Sequence, residues 1–166
     1  MTNADDDAWV CPHCRAEAQP DNDFCPECGE ILSDGIFCSR HEKQAADGVC
    51  VICLKPFCAE CGGRVLDRFL CGEHEAVEIY EGMARVYGSS DTVQVDFGKD
   101  SLEAAGLHPL VFTRKASPIS LGGPDYTLFR ASGEHDGHIV NEIKLMVPCQ
   151  EFVQAQQVLT ELEFFK

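Results

Sequence analysis

The sequence predicts an α+β protein in two unlike halves, with small modules in front and a sandwich of helices on one face of an antiparallel sheet behind. Two observations support this division. Ten of the eleven cysteines lie between Cys11 and Cys71. From Tyr80 onwards the chain reads as ordinary globular sequence, with apolar residues at the spacings of strands and helices. The composition therefore changes near residue 76.

The front half needs something other than apolar burial to hold it together, because pieces below about 40 residues usually fold only with disulfides, metals or oligomerisation. Disulfides would require an oxidising compartment. The first residues, MTNADDDAW, lack the basic and apolar regions of an export signal. No stretch of the sequence approaches the roughly 20 apolar residues of a membrane span. We therefore expect a cytoplasmic protein with reduced, metal-binding thiols.

The charge of the chain disfavours two classes of partner. Thirteen basic and 28 acidic residues give a net charge of −15, and thiolate-bound metal would deepen the deficit. Nucleic-acid binders usually carry a basic stripe that releases counterions, and the sequence has none. We expect no nucleic-acid partner and no anionic membrane partner.

The first cysteine cluster has the spacing of a closed metal site. Two pairs, Cys11-x2-Cys14 and Cys25-x2-Cys28, are separated by ten residues. Two residues between ligands let one tight turn direct both sulfurs at one ion, and two such turns supply the tetrahedron that Zn²⁺ accepts. Gly29 tolerates a left-handed backbone after the second pair. Four cysteine ligands leave no open position, so the ion is expected to be structural.

The stretch VCPHCRAEAQPDNDFCPECGEIL resembles the short zinc ribbons at the N-termini of many bacterial proteins. The predicted ribbon covers residues 9–33, and residues 1–8 are predicted to be a disordered acidic tail. Arg15 stands where such ribbons often have glycine. A rubredoxin-like iron centre also uses paired cysteines, but the link here is short for it, so zinc is expected.

A second cluster places eight soft ligands between Cys38 and His74. The pairs are Cys38-x2-His41, Cys50-x2-Cys53, Cys58-x2-Cys61 and Cys71-x2-His74. A sequential pairing, first with second, and a cross-brace, first with third, both give two Cys3His sites. The residues LKPF between the middle pairs can span roughly 17 Å, so spacing alone allows either.

The order of these pairs resembles a B-box-type zinc finger, a relative of the RING finger, over residues 38–74, and the predicted module spans residues 36–76. Such modules are cross-braced. The resemblance therefore implies one ion at Cys38, His41, Cys58 and Cys61, and another at Cys50, Cys53, Cys71 and His74. With the ribbon, this gives three Zn²⁺ per chain.

The apolar residues between the ligand pairs predict a small core, and RVLDRFLC predicts a short hairpin that presents the last pair. The predicted core residues are Ile36, Phe37, Val49, Val51, Ile52, Phe57, Val65, Leu66, Phe69 and Leu70.

Enzyme activity is not expected from these sites. A RING-type ubiquitin ligase has an aliphatic residue in its first ligand pair and a proline after its last cysteine pair, whereas here Ile52 lies in the second pair and the last pair has no proline. A catalytic zinc needs an open coordination position, and each ligand set is complete.

Beyond a connector at residues 77–83, the segment 84–166 predicts the order strand, helix, strand, strand, strand, helix. ARVYGSS is the first strand. The next element is a helix with Ser90 as N-cap, one face formed by Val93, Phe97 and Leu102, and Gly106 as its stop. Alternation of apolar residues from Val93 to Phe97 would also fit a strand.

The remaining elements follow from the same patterns. LHPLVFTR, YTLFRAS and HIVNEIKLMVP are the predicted strands, and GEHDG is a turn. CQEFVQAQQVLTELEFF predicts an amphipathic helix. Its predicted apolar face is Phe152, Val153, Ala155, Gln156, Leu159 and Leu162.

The frame ARVYGSS, LEAAGL and IKLMVP followed by a helix resembles a bacterial family of prokaryotic signal-transducing domains, which have a ferredoxin-like α/β sandwich. The resemblance implies a regulatory domain, with a small ligand at its sheet as one partner. The other titratable residues suggest no chemistry. His135 and His138 fit a polar turn, His108 a strand, and Cys149 a half-buried structural position.

Together these patterns predict a zinc-binding, non-enzymatic adaptor or regulatory protein that mediates protein–protein interaction in signalling. The alternative is a redox- or zinc-responsive sensor whose thiolates release metal on oxidation.

Overall fold

A computed structural model of the chain describes residues 10–19, 21–113, 133–135, 138–140 and 142–165. The chain forms two compact units, Met1–Val77 and Glu78–Lys166. The acidic tail predicted for residues 1–8 and the strand predicted for YTLFRAS, residues 126–132, lie outside the described ranges.

The first unit contains two short antiparallel hairpins. Strand β1 (Gly48–Val49) pairs with β2 (Pro56–Phe57), and β3 (Gly62–Val65) pairs with β4 (Arg68–Cys71). The second hairpin confirms the prediction for RVLDRFLC. Its two turn residues, Leu66 and Asp67, have φ of 46° and 63°, as expected for a turn whose twist matches that of the flanking strands.

Phe69, on β4, is fully buried at the centre of this unit. Its ring lies against the backbone of Gly48 and Gly62, where any Cβ atom would overlap it. Val49, Val51, Ile52, Phe57 and Leu70 are also buried. The core prediction is wrong for Phe37, Val65 and Leu66, which are exposed. Leu66 is exposed because it lies in the turn beyond the last paired residues of the hairpin.

The ribbon is bonded to the rest of the first unit through its second cysteine pair. Val49 N donates to Gly29 O at 2.8 Å, and Phe69 N donates to Cys28 O at 2.9 Å. Arg64 also forms an ion pair with Glu30. Residues 36–76, called below the cysteine–histidine module, therefore fold together with the ribbon.

The second unit is built on a four-stranded sheet with the order β5-β6-β10-β7. Its strands are β5 (Ile79–Tyr80), β6 (Met83–Ser89), β7 (Leu110–Thr113) and β10 (Ile143–Pro148). Strand β10 is antiparallel to both β6 and β7, so β6 and β7 run parallel on either side of it. The predicted connector at residues 77–83 contributes Ile79–Tyr80 to this sheet as an edge strand.

A separate hairpin joins β8 (Gly133–His135) to β9 (His138–Val140). HIVNEIKLMVP was expected to be one strand. The structure divides it into β9 and β10, which belong to different sheets.

Helix α1 (Thr92–Ala104) lies between β6 and β7, and helix α2 (Phe152–Glu161) follows β10 through a 3-10 turn at Cys149–Glu151. Both helices contact β6, β10 and each other, so they lie on the same face of the sheet, as predicted. Ala84, Leu145 and Val147 are buried on the strands, and Phe152, Ala155 and Leu159 are buried on α2.

Helix α1 begins one residue later than predicted and buries a different face. Asp91, not Ser90, is the N-cap, and its carboxylate accepts hydrogen bonds from the backbone of Val93 and Gln94. The helix prediction is correct, and Gly106 follows the helix with a φ of 81°.

The buried residues of α1 are Val95, Gly98 and Leu102, whereas Val93 and Phe97 are 74% and 55% exposed. Similarly, Val153 and Leu162 of the α2 region are exposed. In the parts of the chain that the structure describes, no helix is both long and apolar enough to cross a membrane.

Candidate metal centres

Each cysteine pair of the ribbon lies in a tight turn closed by one backbone hydrogen bond. Arg15 N donates to Cys11 O at 2.9 Å, and Gly29 N donates to Cys25 O at 2.8 Å. Both donors have a left-handed backbone, with φ of 62° at Arg15 and 76° at Gly29. Arg15 therefore adopts a backbone conformation that is strained for arginine and would be unstrained for glycine.

Two sulfur–sulfur distances in the ribbon match the edges of a tetrahedral zinc site, and all four sulfurs lie within 4.8 Å of one another. Cys11 Sγ is 3.7 Å from Cys28 Sγ, and Cys14 Sγ is 3.6 Å from Cys25 Sγ. A tetrahedron with Zn–S bonds of about 2.3 Å has S–S edges of about 3.8 Å. A disulfide would need about 2.05 Å, and all four cysteines are free. The donor set fits Zn²⁺.

The cysteine–histidine module brings its eight ligands together as two groups in alternating order. One group is Cys38, His41, Cys58 and Cys61, and the other is Cys50, Cys53, Cys71 and His74. The ligand atoms within each group lie within 4.8 Å of one another. The first pair thus meets the third and the second meets the fourth, which is the cross-brace and not the sequential pairing.

Both histidines face their cysteines through Nδ1. His41 Nδ1 is 3.3 Å from Cys58 Sγ and 3.6 Å from Cys61 Sγ. His74 Nδ1 is 3.2 Å from Cys71 Sγ and 3.6 Å from Cys50 Sγ. A mixed Cys3His tetrahedron around zinc has N–S edges of about 3.6 Å. These two groups therefore also fit Zn²⁺, held entirely by protein ligands.

The same turn recurs in the module. Leu54 N donates to Cys50 O at 2.8 Å, and Gly62 N donates to Cys58 O at 3.1 Å. Leu54 has a φ of 56°, so it adopts the strained conformation that Arg15 adopts in the ribbon. The repeated turn explains why pairs two residues apart present both ligands to one ion.

The three groups differ in their contact with solvent. Cys14 is the most exposed ligand of the ribbon group, and His41 is the most exposed ligand of the Cys38 group. The Cys50 group has no exposed ligand, because Cys50 and Cys71 are buried and its other two members are half-buried. The Cys50 group is therefore the most protected from solvent.

Close packing of the thiols shifts their pKa values apart. A hydrogen bond from the Cys53 side chain lowers the pKa of the Cys50 thiol to about 4, although burial acts against it. The same side-chain interaction and burial raise the pKa of Cys53. Such a pair shares one proton, and a divalent cation would replace that proton and neutralise both thiolates.

Outside these three groups, no further metal group is found among the side chains that the structure describes. His135 and His138 are paired across the β8–β9 hairpin. His108 is held by Glu151, with its backbone N 2.8 Å from Oε2 and its Nδ1 2.7 Å from Oε1. Cys149 is buried at the start of the 3-10 turn.

No sequence pattern indicates the residues that support these sites. Phe69 and the backbone of Gly29 join the ribbon to the module, but nothing in their local pattern indicates a contact across 40 residues of chain. Gly29 was identified only for its left-handed turn. Its lack of a side chain has a second role, because a Cβ atom there would overlap Val49 O.

Comparison with known proteins recognises the first of these sites. Residues 10–32 match the family model of the zinc-ribbon domain. The search of curated proteins gave no match, and neither did the search of solved structures. The front of the chain therefore contains a zinc-ribbon domain, followed by two further cysteine–histidine groups with zinc-like geometry.

Proposed function

We propose that this protein is a non-enzymatic adaptor whose zinc-stabilised front unit recognises another protein. The proposal rests on the number of ligands, because each of the three groups supplies four protein ligands. A zinc ion with four protein ligands organises the chain and leaves no position for substrate. The ions would then fix loops rigidly, which lowers the entropy cost of binding a partner.

The family resemblances and the charge support the same reading. A B-box-type finger and a ferredoxin-like signal-transducing domain, present in one cytoplasmic bacterial chain, would combine a recognition module with a regulatory one. A net charge of −15 opposes nucleic acid and anionic membranes. These features favour a protein partner. They also leave room for a small ligand at the sheet of the second unit.

Chemical cross-linking with the zinc-loaded full-length chain tests this function. We expect one partner protein to be captured by the loaded chain but not by a chelated sample, and the complex to form again from purified components. The control is the Cys149→Ala variant, which lacks the cysteine outside the metal groups and should retain the partner. If no partner binds in a metal-dependent way, the adaptor function is wrong.

A redox- or zinc-responsive sensor is a second candidate, favoured by the exposure of Cys14 and His41. An exposed thiolate is the one that an oxidant reaches first. Sub-stoichiometric peroxide should then release zinc rapidly, detected with a colorimetric chelator, and change the oligomeric state. Retention of all bound zinc under these conditions would exclude the sensor.

A further inference from the structure

A cleft of about 290 Å³ lies between the ribbon and the tip of the β3–β4 hairpin. Its lining includes Cys14, Glu27 and Cys28 on the ribbon side, and Leu66, Asp67 and Arg68 on the hairpin side. Pockets for whole small molecules are roughly 300–1,000 Å³. The cleft lies at the lower end of that range, and its volume is sufficient for one or two side chains of a peptide.

Leu66 is unusual in both backbone and side chain. Its φ of 46° lies in the region that favours glycine or asparagine, and its side chain is 79% exposed. In the two-residue turn that it forms with Asp67, Asn-Gly is the preferred pair. Leucine there strains the turn and gains little burial in return. What distinguishes Leu66 is an exposed apolar side chain beside the cleft, which a partner can cover.

The charge around the cleft selects the class of partner. Glu27 and Asp67 line it, against one basic residue, Arg68. Residues 10–33 contain five acidic residues and only Arg15 as a base, and a Zn²⁺ ion with four thiolates would add two further negative charges. A second copy of this chain, with a net charge of −15, would be repelled.

We propose that this cleft binds a basic peptide segment of the partner protein, with an apolar side chain packed on Leu66 and flanking lysine or arginine residues paired with Glu27 and Asp67. The proposal rests on the proposed adaptor function, and it identifies the surface and the partner chemistry. Binding would bury the leucine and neutralise the carboxylates together, so affinity should fall with increasing salt.

The test uses the zinc-loaded, 15N-labelled full-length chain and a synthetic peptide in which one leucine is flanked by lysines. Titration should shift the amide signals of Cys14, Glu27 and Leu66. A peptide with glutamates in place of the lysines should cause no shift. If the basic peptide shifts signals evenly over the acidic surface, or none at all, the cleft is not its site.

Matched variants distinguish a loss of peptide binding from a loss of protein stability. Leu66→Asn keeps a residue that tolerates positive φ but removes the apolar side chain, and should weaken peptide binding about 10-fold. Leu54→Asn is the control, because Leu54 is also an exposed leucine with positive φ but does not line the cleft. Equal affinity of the two variants would overturn the proposal.

Charge variants test the proposed ion pairs between the cleft and the basic residues of the peptide. The double variant Glu27→Gln, Asp67→Asn should bind more weakly and with a shallower salt dependence than Glu42→Gln, Glu60→Gln, which removes two exposed carboxylates outside the cleft. If both pairs weaken binding equally, attraction is non-specific and the cleft assignment is wrong.

The same variants distinguish the cleft from the adaptor function. If Leu66→Asn retains the cross-linked partner at full strength, the cleft is not the binding surface but the adaptor function remains. If the unmodified chain binds no partner, the adaptor function itself fails. A dimer that depends on Leu66 in analytical ultracentrifugation would identify a second copy as the occupant and contradict the proposal.

Discussion

Gly29 combines two requirements that only glycine meets. Its φ of 76° closes the second turn of the ribbon, and its backbone approaches β1 so closely that a Cβ atom would overlap Val49 O. Its carbonyl accepts the hydrogen bond from Val49 N. One residue therefore shapes a metal site and joins two modules.

Gly29→Ala should destabilise the first unit by about 3 kcal/mol, since overpacking typically costs about 1–3 kcal/mol in addition to the strain of positive φ. Gly35→Ala is the control, because Gly35 has a similar φ of 82° but open space around it. Denaturation of the zinc-loaded variants, followed by far-UV circular dichroism, measures both. Equal losses would mean that backbone strain alone, and not the contact with Val49, limits position 29.

Arg15 and Leu54 carry strain that glycine would remove. A non-glycine residue with positive φ costs on the order of 1–3 kcal/mol, whereas glycine adds about 0.4–1 kcal/mol of unfolded-state entropy. Arg15→Gly should therefore stabilise the first unit by about 1 kcal/mol, measured as a rise in the denaturation midpoint. Lys43→Gly, at an exposed position without positive φ, should be destabilising. A loss of stability in Arg15→Gly would contradict this account.

At the scale of elements, helix α1 shows how far periodicity can be trusted. The pattern from Thr92 to Ala104 predicts the helix and its stop at Gly106, but not which side is buried. The structure buries Gly98 against Phe164 and Leu145, because a residue without a side chain lets the helix lie close to the sheet. Apolar residues such as Phe97 then lie at the edge of that contact.

The start of α1 can be tested directly. Asp91→Ala removes a carboxylate that caps the backbone of Val93, at 2.9 Å, and of Gln94, and should cost about 1 kcal/mol. Ser90→Ala should cost much less, because Ser90 precedes the cap. Hydrogen exchange of the α1 amides measures both. The reverse order would restore Ser90 as the cap.

At the scale of the whole molecule, the grouping of the cysteines and histidines into three clusters was predictable, and the contacts that support the clusters were not. A pair such as Cys11-x2-Cys14 is a local pattern, since one turn determines the positions of both ligands. The bond from Phe69 N to Cys28 O joins residues distant in sequence and depends on the assembled fold. The same limit explains why Leu66 was predicted to be buried: its apolarity is visible in the sequence, but its place in the turn is not.

The two units should respond differently to metal removal. We expect the first unit to depend on metal coordination for much of its stability, because a structural zinc site contributes about 10–16 kcal/mol at neutral pH. The second unit has an apolar core that includes Leu102, Leu145 and Leu159 and no metal group among its described residues. In two-dimensional NMR of the full-length chain, a chelator should therefore collapse the signals of residues 10–77 and leave those of the second unit dispersed. Re-addition of Zn²⁺, to about three ions per chain by elemental analysis, should restore the spectrum, since binding and folding are coupled. If the signals of the first unit survive chelation, apolar packing around Phe69 and not coordination holds it together.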